Sequence, residues 1–285
     1  MEPILQVQHL THTYSVGTPF QRSAVEDMSF DVYDGEFLGI IGHTGSGKST
    51  LIQHLNGLLR PTSGQILLHG KDIWAEPKKI RDVRFQVGLV FQYPEYQLFE
   101  ETVYKDIAFG PINQGKTGEE LDRCVREAAR LVGIRDDQLD KSPFELSGGQ
   151  KRRVALAGVM AMDPQVLVLD EPTAMLDPIG RAEVMKTIRE LNRSSGVTVV
   201  LITHHMDEAA QADWLVVMAK GRGGADGTPR KVFQRVEELK AVGLTVPETT
   251  ELLWQLRQAG VDVPLDALSD EECAQALFDL LQTRA

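Results

Sequence analysis

The sequence predicts an α/β fold in which helices cover both faces of a mostly parallel sheet. Three short apolar runs, Phe37–Ile41, Val166–Leu169 and Thr198–Ile202, are typical of strands that are buried on both faces. Helical patterns at Ser49–Leu59 and Arg181–Leu191 follow the first two of these runs. Because strands and helices alternate along the chain, most strands are expected to run parallel.

The remaining elements extend this sheet and add a helical tail. From about Val236 the apolar residues fall into two helical segments, which Gly260 and Pro264 separate. Ser269 and Glu272 have the spacing of a capping box, so the last helix is expected to begin there. The other predicted strands are Leu5–Leu10, Met28–Val32, Gln65–Leu68 and Trp214–Ala219, and the other predicted helices are Glu119–Val132, Gln150–Met162, Glu248–Ala259 and Asp266–Leu281.

Composition limits the classes of protein to which this chain can belong. Of its 285 residues 42% are hydrophobic, which is enough for a sizeable core. Its net charge of -11 is opposite to that of most nucleic-acid binders, so no nucleic-acid partner is expected. The N-terminal residues do not resemble a signal peptide, and no apolar run approaches the roughly 18 residues that a membrane span needs. If the chain works at a membrane, we expect it to do so through a partner.

A phosphate-binding loop follows the first buried run. Residues 42–49 read Gly-His-Thr-Gly-Ser-Gly-Lys-Ser, which fits the pattern G-x-x-x-x-G-K-[ST]. The glycines permit a tight turn whose N–H groups point at phosphate oxygens, and the following helix presents its positive end to them. Lys48 is expected to reach the β- and γ-phosphates, and the Ser49 hydroxyl to bind Mg²⁺. The candidate nucleotide-binding residues are Gly42, His43, Thr44, Gly45, Ser46, Gly47, Lys48, Ser49 and Thr50.

Two acidic residues, Asp170 and Glu171, end the second buried run. A carboxylate at the end of a strand beside a phosphate loop can hold Mg²⁺, and Asp170 is the candidate. The next carboxylate, that of Glu171, can act as a general base toward the attacking water. Acids at a strand end are often merely exposed to solvent, but the upstream phosphate loop favours the functional interpretation.

One short segment distinguishes among the many classes of protein that use a phosphate loop. Residues Leu146–Gln150 read Leu-Ser-Gly-Gly-Gln and resemble the signature sequence of the ATP-binding-cassette (ABC) ATPases. Such a segment opens a helix and offers N–H groups, a hydroxyl and a positive helix end to an anion. In that family this second anion site closes over the ATP held by a partner subunit, so the resemblance implies a dimer. The residues of this signature loop are Ser147, Gly148, Gly149 and Gln150.

The resemblance covers about Ile4 to Phe233 and assigns further roles. It implies that Tyr14 stacks on adenine, that Gln92 senses Mg²⁺ and the γ-phosphate, and that His204 contacts the γ-phosphate. It also places Asp177 in a loop that crosses to the dimer partner. The resemblance therefore implies Glu171, His204 and Gln92 as catalytic residues, and Ser49, Gln92 and Asp170 as the residues around the metal.

Within the family, the sequence resembles the energy-coupling factor (ECF) transporters, and the second of their two ATPase types. Val90–Phe99 and Val103–Pro111 are similar to the glutamine-loop region of that group, and the insertion Gly17–Phe20 points to the second type. The resemblance implies ATP and Mg²⁺ as cofactors, a second ATPase subunit that forms a heterodimer, a transmembrane coupling subunit and exchangeable substrate-capture subunits. It further implies a peripheral position at the cytoplasmic face of the cell membrane and uptake of vitamins or transition-metal ions.

The resemblance also refines the fold class. It implies a P-loop NTPase with a RecA-like core, an antiparallel β subdomain and a helical subdomain at about residues 93–163. The ABC ATPase domain would span residues 1–235, and a C-terminal helical extension would span residues 236–285. Residues 221–229 are rich in glycine where members of the family usually form a short β-hairpin, so the formation of that hairpin is in doubt.

Two alternatives remain beside an ECF importer. One is the ATPase of another class of ABC importer, and the other is a soluble ABC ATPase that acts on nucleic acid or ribosomes. The acidic charge, the single cassette and the lack of a coiled-coil insertion between Lys48 and Ser147 disfavour the second. A phosphoryl transferase outside the family would leave Leu146–Gln150 and the region of Gln92 unexplained.

Overall fold

Two β-sheets organise the molecule in the computed structural model, which describes residues 2–284. The terminal residues of the two predicted domains, Met1 and Ala285, lie outside the described residues. The strands are β1 (Pro3–Tyr14), β2 (Arg22–Tyr33), β3 (Phe37–Ile41), β4 (Ser63–Leu68), β5 (Lys71–Asp72), β6 (Val87–Val90), β7 (Val166–Asp170), β8 (Thr198–Thr203), β9 (Trp214–Ala219) and β10 (Arg222–Gly227).

Helices connect the strands and form most of the tail. The helices are α1 (Lys48–Leu55), α2 (Ile80–Gln86), α3 (Val103–Asn113), α4 (Gly118–Leu131), α5 (Asp136–Leu139), α6 (Gly148–Met160), α7 (Pro178–Ser195), α8 (Met206–Ala209), α9 (Pro229–Phe233), α10 (Val236–Ala241), α11 (Glu248–Gln258) and α12 (Asp270–Arg284). Among the described residues, none of these helices has both the length and the apolar content that crossing a bilayer requires.

The six-stranded sheet, in the order β10-β9-β3-β8-β7-β6, positions the predicted site. Its strands from β9 to β6 pair in parallel, so their carboxyl ends meet at one edge. The phosphate loop at residues 42–49 follows β3, Gln92 follows β6, Glu171 follows β7 and His204 follows β8. Ligands of open parallel sheets bind at this edge, so the fold brings four distant parts of the sequence together.

The antiparallel sheet, in the order β2-β1-β4-β5, contains longer strands than the sequence predicted. Both β1 and β2 have 12 residues, although alternation identified only Leu5–Leu10 and Met28–Val32. Their pairing contains register shifts, and His9 and Asp27 have positive φ angles of 50°. A bulge of this kind interrupts the period of two, which hides the full length of the strands from the sequence pattern.

Several predicted helix boundaries change in the structure. The helix predicted at Ser49–Leu59 ends at Leu55, because Gly57 has a φ of +68° and the Leu59 N–H donates to the Gln53 carbonyl. Periodicity did not predict α3, whose first turn is capped by the Thr102 hydroxyl. The last helix begins at Asp270 as the capping spacing predicted, with the Ser269 hydroxyl accepting from the Glu272 N–H at 3.2 Å.

The doubt about the glycine-rich hairpin was wrong, because β10 pairs antiparallel with β9. The glycines of β10 allow close packing instead of preventing strand formation. A Cβ at Gly223 would lie only 3.1 Å from the Met28 sulfur of β2, so the Met28 side chain would have to shift to admit it. The hairpin is therefore where the two sheets approach each other.

The tail packs directly on the cassette. Phe233, Val236 and Leu239 are buried in one apolar cluster that includes Leu215 and Val217 of β9. The boundary predicted between residues 235 and 236 falls inside this cluster. Arg230 adds polar contacts, because its guanidinium donates to the Asp266 carbonyl at 2.6 Å and pairs with the Glu272 carboxylate of α12.

His54 is a fully buried ionisable residue of α1, beside the phosphate loop. Its Nδ1 lies 2.7 Å from the Thr50 carbonyl oxygen, which only accepts, so Nδ1 carries the hydrogen. The other ring nitrogen, Nε2, then accepts from His12 Nδ1 at 3.0 Å. Burial lowers the pKa of His54 to about 4, since a charged imidazole would lose its hydration there.

Acid should therefore destabilise the protein through His54. As the pH falls below 6.5, His54 becomes protonated in the unfolded chain, whereas in the folded chain it stays neutral down to about pH 4. The free energy of unfolding therefore decreases as the pH falls through this window. Between pH 7 and 5 the free energy of unfolding should drop by about 2 kcal/mol more in the wild type than in His54→Leu. Urea titrations at several pH values measure this difference. Parallel pH curves for the two proteins would contradict it.

Candidate functional site

A groove of about 590 Å³ lies at the carboxyl edge of the six-stranded sheet. It brings together most of the predicted nucleotide-binding and catalytic residues from the phosphate loop, β1 and the ends of β6 and β7. The groove is also lined by residues of β2 and of the β9–β10 turn, which the sequence analysis did not select. The lining residues are Tyr14, Arg22, Ser23, Ala24, His43, Thr44, Gly45, Gly47, Lys48, Ser49, Thr50, Gln92, Glu171, Lys220 and Gly221.

Close backbone contacts hold the phosphate loop in place. Gly47 has a φ of +103°, and a Cβ there would collide with the Ala24 carbonyl of β2. A Cβ at Gly42 would collide with the Met218 carbonyl of β9. Only glycine fits both positions, so the two glycines of the motif serve the packing of the loop as well as its turn. Ser46 is fully buried between these contacts, and its hydroxyl has no hydrogen-bond partner among residues 2–284.

The Lys48 ammonium is buried and turned back onto the loop. Its Nζ donates to the carbonyl oxygens of Gly42 at 2.6 Å and His43 at 3.1 Å. Burial lowers the pKa of Lys48, and the nearby carboxylates of Glu171 and Asp170 oppose that shift. A cation held in this way, among inward-facing backbone groups, suits a polyanion such as the phosphate chain of a nucleotide.

Ser49 and Asp170, two of the residues predicted to hold Mg²⁺, contact each other. Asp170 ends β7, is 5% exposed and accepts a hydrogen bond from the Ser49 side chain. Burial raises the pKa of Asp170 to about 6, an effect that a bound cation would reverse. Among the described residues there is no group of three or more His, Cys, Asp or Glu that could hold a metal ion by itself. One carboxylate and one hydroxyl fit Mg²⁺, which usually keeps several waters and takes further ligands from phosphates.

Two of the predicted catalytic residues, Gln92 and His204, lie close to one carboxylate oxygen of the third, Glu171. The Gln92 amide donates to Oε2 of Glu171 at 3.0 Å, and Nδ1 of His204 lies 3.2 Å from the same oxygen. Glu171 has a positive φ of 46°, and its N–H donates to the Ile202 carbonyl of β8. A non-glycine residue in this conformation is strained, and its neighbours must hold it there. The geometry fixes a carboxylate at the mouth of the phosphate loop.

Tyr14 lines the same groove. Its hydroxyl is 3.2 Å from the Thr50 hydroxyl, and its ring meets the His12 ring edge-on at 4.5 Å between centroids. The side chain is 41% exposed, so part of the ring is open to a ligand. His43 also lines the groove, with its Nδ1 2.8 Å from the Thr44 carbonyl oxygen.

The signature loop lies elsewhere on the surface. Ser147 caps α6 through its hydroxyl, and the Gln150 amide oxygen accepts from the Ser147 N–H in return. A Cβ at Gly148 or Gly149 would meet no atom of the described chain within 4 Å, so the backbone there is open to approach. Within the described part of the chain, none of the signature residues lines the groove.

Asp177 caps α7 by accepting from the Gly180 N–H at 3.0 Å. Two exposed apolar side chains flank it, with Met175 87% exposed and Ile179 73% exposed. Exposed apolar side chains beside a polar loop are typical of a surface that another protein covers. The structure therefore separates the signature loop and Asp177 from the groove of their own chain.

Sequence reasoning missed Arg152, a buried cation behind Glu171. Its guanidinium donates to the carbonyl oxygens of Pro172, at 2.7 Å, and Ala174, and it pairs with the Glu95 carboxylate at 3.2 Å. It thereby joins the signature helix to the segments that follow Gln92 and Glu171. Arg152 lies in the run Lys151-Arg152-Arg153, which suggests a solvent-exposed face, and no local signal indicated that it is only 4% exposed.

Comparison with known proteins identifies the family of this chain. The family model described as ABC transporter matches residues 25–174. The energy-coupling factor transporter ATP-binding protein EcfA2 of Caldanaerobacter subterraneus is 51% identical over 279 residues, which cover 98% of each chain. The EcfA2 protein of Symbiobacterium thermophilum is also 51% identical, over 276 residues that cover 96% of each chain.

Solved structures show the same fold. The structure of cbiO1 from Clostridium perfringens, described as part of the ABC transporter complex cbiONQ, superposes with a TM-score of 0.76 at 38% identity, covering 91% of this chain and 98% of that one. The dimeric ATP-binding cassette MJ0796 bound to ADP and Pi superposes with a TM-score of 0.71 at 26% identity, covering 79% and 99%. These neighbours confirm the predicted ABC-type P-loop fold. This chain therefore belongs to the ABC transporter family, as an ATP-binding and ATP-hydrolysing protein of the energy-coupling factor type.

Proposed function

We propose that this chain is one of two different ATPase subunits of an energy-coupling factor importer and drives uptake of vitamins or transition-metal ions. The observation that carries the catalytic part of the proposal is the convergence of Gln92 and His204 on the Glu171 carboxylate. That carboxylate lies beside the buried pair Lys48 and Asp170, where the phosphates of ATP would be held. The residues named in the sequence analysis are proposed to keep those roles.

Each side chain of the groove has a separate proposed role. Lys48 would release the carbonyl oxygens of its own loop and bind the phosphates, while Ser49, Asp170 and Gln92 would hold Mg²⁺. The metal would neutralise phosphate charge as the terminal phosphoryl group is transferred. Glu171 would orient a water molecule and accept its proton, with its carboxylate steered by Gln92. His204 would contact the γ-phosphate from the end of β8.

A dimer is proposed because each chain would contribute its groove to one nucleotide site and its signature loop to a second nucleotide site, that of the partner. The open backbone at Gly148 and Gly149, capped by Ser147, offers an anion site that faces away from the chain's own groove. The exposed apolar surface around Asp177 would lie against the same partner. Head-to-tail pairing would place this signature loop over the partner's nucleotide. The identity to EcfA2 proteins favours a partner that is a different ATPase subunit.

A membrane partner is proposed at the segment that follows Gln92. Tyr96 is 84% exposed, Phe99 59% and Phe109 48%, and the last two rings pack edge-on at 5.0 Å. Such exposed aromatic residues fit a protein interface, here with a transmembrane coupling subunit. Movement of Gln92 on nucleotide binding would reach this surface directly. The chain would then lie at the cytoplasmic face of the cell membrane, and other membrane subunits would capture the substrate.

Isolation of the native complex tests the proposed assembly. The tagged chain, recovered from gently solubilised membranes of its own cell, should copurify with a polytopic membrane protein and a second ATPase. Substrate-capture subunits in the same preparation would identify the cargo. Recovery from the soluble fraction alone, with ribosomes or DNA-associated proteins, would contradict the transport role and leave the ATPase chemistry standing.

Replacing Lys48 should weaken nucleotide binding. Lys48→Ala removes the cation that faces the phosphates, and the loss of one charge-assisted contact of this kind weakens binding about tenfold or more. Calorimetric titration with Mg²⁺ and ATP measures the effect. Lys186→Ala, which removes an exposed cation of α7, is the matched control and should bind as the wild type does. Equal affinity in Lys48→Ala and the control would refute the phosphate-loop assignment.

Replacing Glu171 should separate binding from turnover. Glu171→Gln keeps the size of the side chain but cannot accept a proton, so kcat should fall by roughly 10²- to 10⁴-fold while ATP binding persists. Phosphate release by the assembled complex measures turnover. Glu190→Gln, on the exposed face of α7, controls for the charge change. Wild-type turnover in Glu171→Gln would remove Glu171 from the catalytic role.

A further inference from the structure

Glu208 is a buried carboxylate that the catalytic assignment does not use. It lies on α8, is 2% exposed, and both of its oxygens accept hydrogen bonds from threonine hydroxyls. Oε1 accepts from Thr173 at 2.7 Å and Oε2 accepts from Thr203 at 2.6 Å. The Arg181 guanidinium approaches Oε1 at 3.3 Å and supplies the opposite charge. A buried carboxylate with this set of partners is fully satisfied, as burial of a charge requires.

The two threonines belong to the loops that carry the catalytic candidates. Thr173 is two residues after Glu171, and Thr203 immediately precedes His204. Both threonine side chains are 1% exposed. The Glu208 carboxylate therefore joins the end of β7 to the end of β8 at the level of the groove, although it does not line the groove itself.

Arg181 extends this connection to the dimer-crossing loop. It lies in the first turns of α7, the helix that Asp177 caps. Besides Glu208, Arg181 pairs with the carboxylate of Asp207, which is 74% exposed, at 3.0 Å. Thus one arginine contacts a buried acid on one side and an exposed acid on the other.

The segment after Glu171 is held from two sides. Arg152 binds the carbonyl oxygens of Pro172 and Ala174 from the helical side, and Glu208 binds the Thr173 hydroxyl from the core side. Non-glycine residues with positive φ angles flank this segment, Glu171 at 46° and Met175 at 61°. Strained backbone of this kind persists only where its surroundings fix it.

We propose that Glu208 is a positioning residue for ATP hydrolysis. Its carboxylate holds the Glu171 loop and the His204 loop in a fixed position relative to each other, and it links both loops to the first turn of α7. The proposal rests on the catalytic roles proposed for Glu171 and His204. In Glu208→Gln the side-chain NH₂ group would donate to one threonine hydroxyl, which would then accept instead of donate and would need another acceptor for its own hydrogen. The same change would leave Arg181 without its buried counter-charge. Small displacements of groups that hold a reacting water lower kcat far more than they change binding.

The test compares two neighbouring acids that share Arg181. In the assembled complex, Glu208→Gln should lower kcat by roughly ten- to a hundredfold and leave the Kd of ATP within about twofold of the wild type. Asp207→Asn, which removes only the exposed partner of Arg181, should leave both quantities within about twofold. The amount of nucleotide bound per complex gives the number of folded sites in each preparation. Dividing the rate by this number shows whether each site is slower or whether fewer sites are folded. A wild-type kcat in Glu208→Gln would overturn the proposal.

A second pair of variants keeps the proposal testable if Glu208→Gln does not fold. Thr203→Ser retains the hydroxyl that Glu208 binds and should keep kcat near the wild-type value, whereas Thr203→Val removes it and should lower kcat at an unchanged Kd. Equal kcat in these two variants would overturn the proposal. Glu171→Gln in the same series tests the catalytic assignment separately, because wild-type turnover in that variant would remove the catalytic role of Glu171 on which the role of Glu208 rests.

Discussion

Parallel pairing of the central strands is the constraint on which the rest of the structure depends. Because β9, β3, β8, β7 and β6 run in one direction, their carboxyl ends present the phosphate loop, Gln92, Glu171 and His204 at one edge. These groups come from four parts of the chain that lie between residues 42 and 204. The antiparallel sheet then supplies one wall of the groove, through the contact between the Ala24 carbonyl and the phosphate loop.

Burial of charge makes this edge suited to a nucleotide. Lys48 and Asp170 are each about one-twentieth exposed, and burial disfavours the charged form of both, so the site without ligand bears a desolvation cost. Phosphate oxygens and a divalent cation would offset that cost on binding. In the proposed mechanism, the Gln92 amide and the segments that contact Arg152 and Glu208 hold the strained Glu171 in place, so little reorganisation would be needed when water attacks.

Local sequence patterns predicted the parts of the structure whose chemistry is local. The phosphate loop, the buried strands β3, β7 and β9 and the cap at Ser269 depend on a few consecutive residues, and the structure confirms each of them. Features that depend on distant contacts escaped prediction. The charged runs that contain Arg152 and Glu208 look like exposed helix faces, and only the fold places carbonyl and hydroxyl partners around them. The glycines of β10 suggested disrupted pairing, whereas one of them, Gly223, closely approaches Met28 of a strand far away in sequence.

In the proposed mechanism, the Glu171 carboxylate and the phosphate loop form one hydrolytic site, which a partner's signature loop completes. This arrangement can be tested by a structure of the assembled wild-type complex with Mg²⁺ and a non-hydrolysable ATP analogue. The γ-phosphate is expected between Lys48 and the partner's signature loop, with an ordered water in line between that phosphate and Glu171. A γ-phosphate whose in-line face is turned toward another side chain, with Glu171 pointing away, would contradict it.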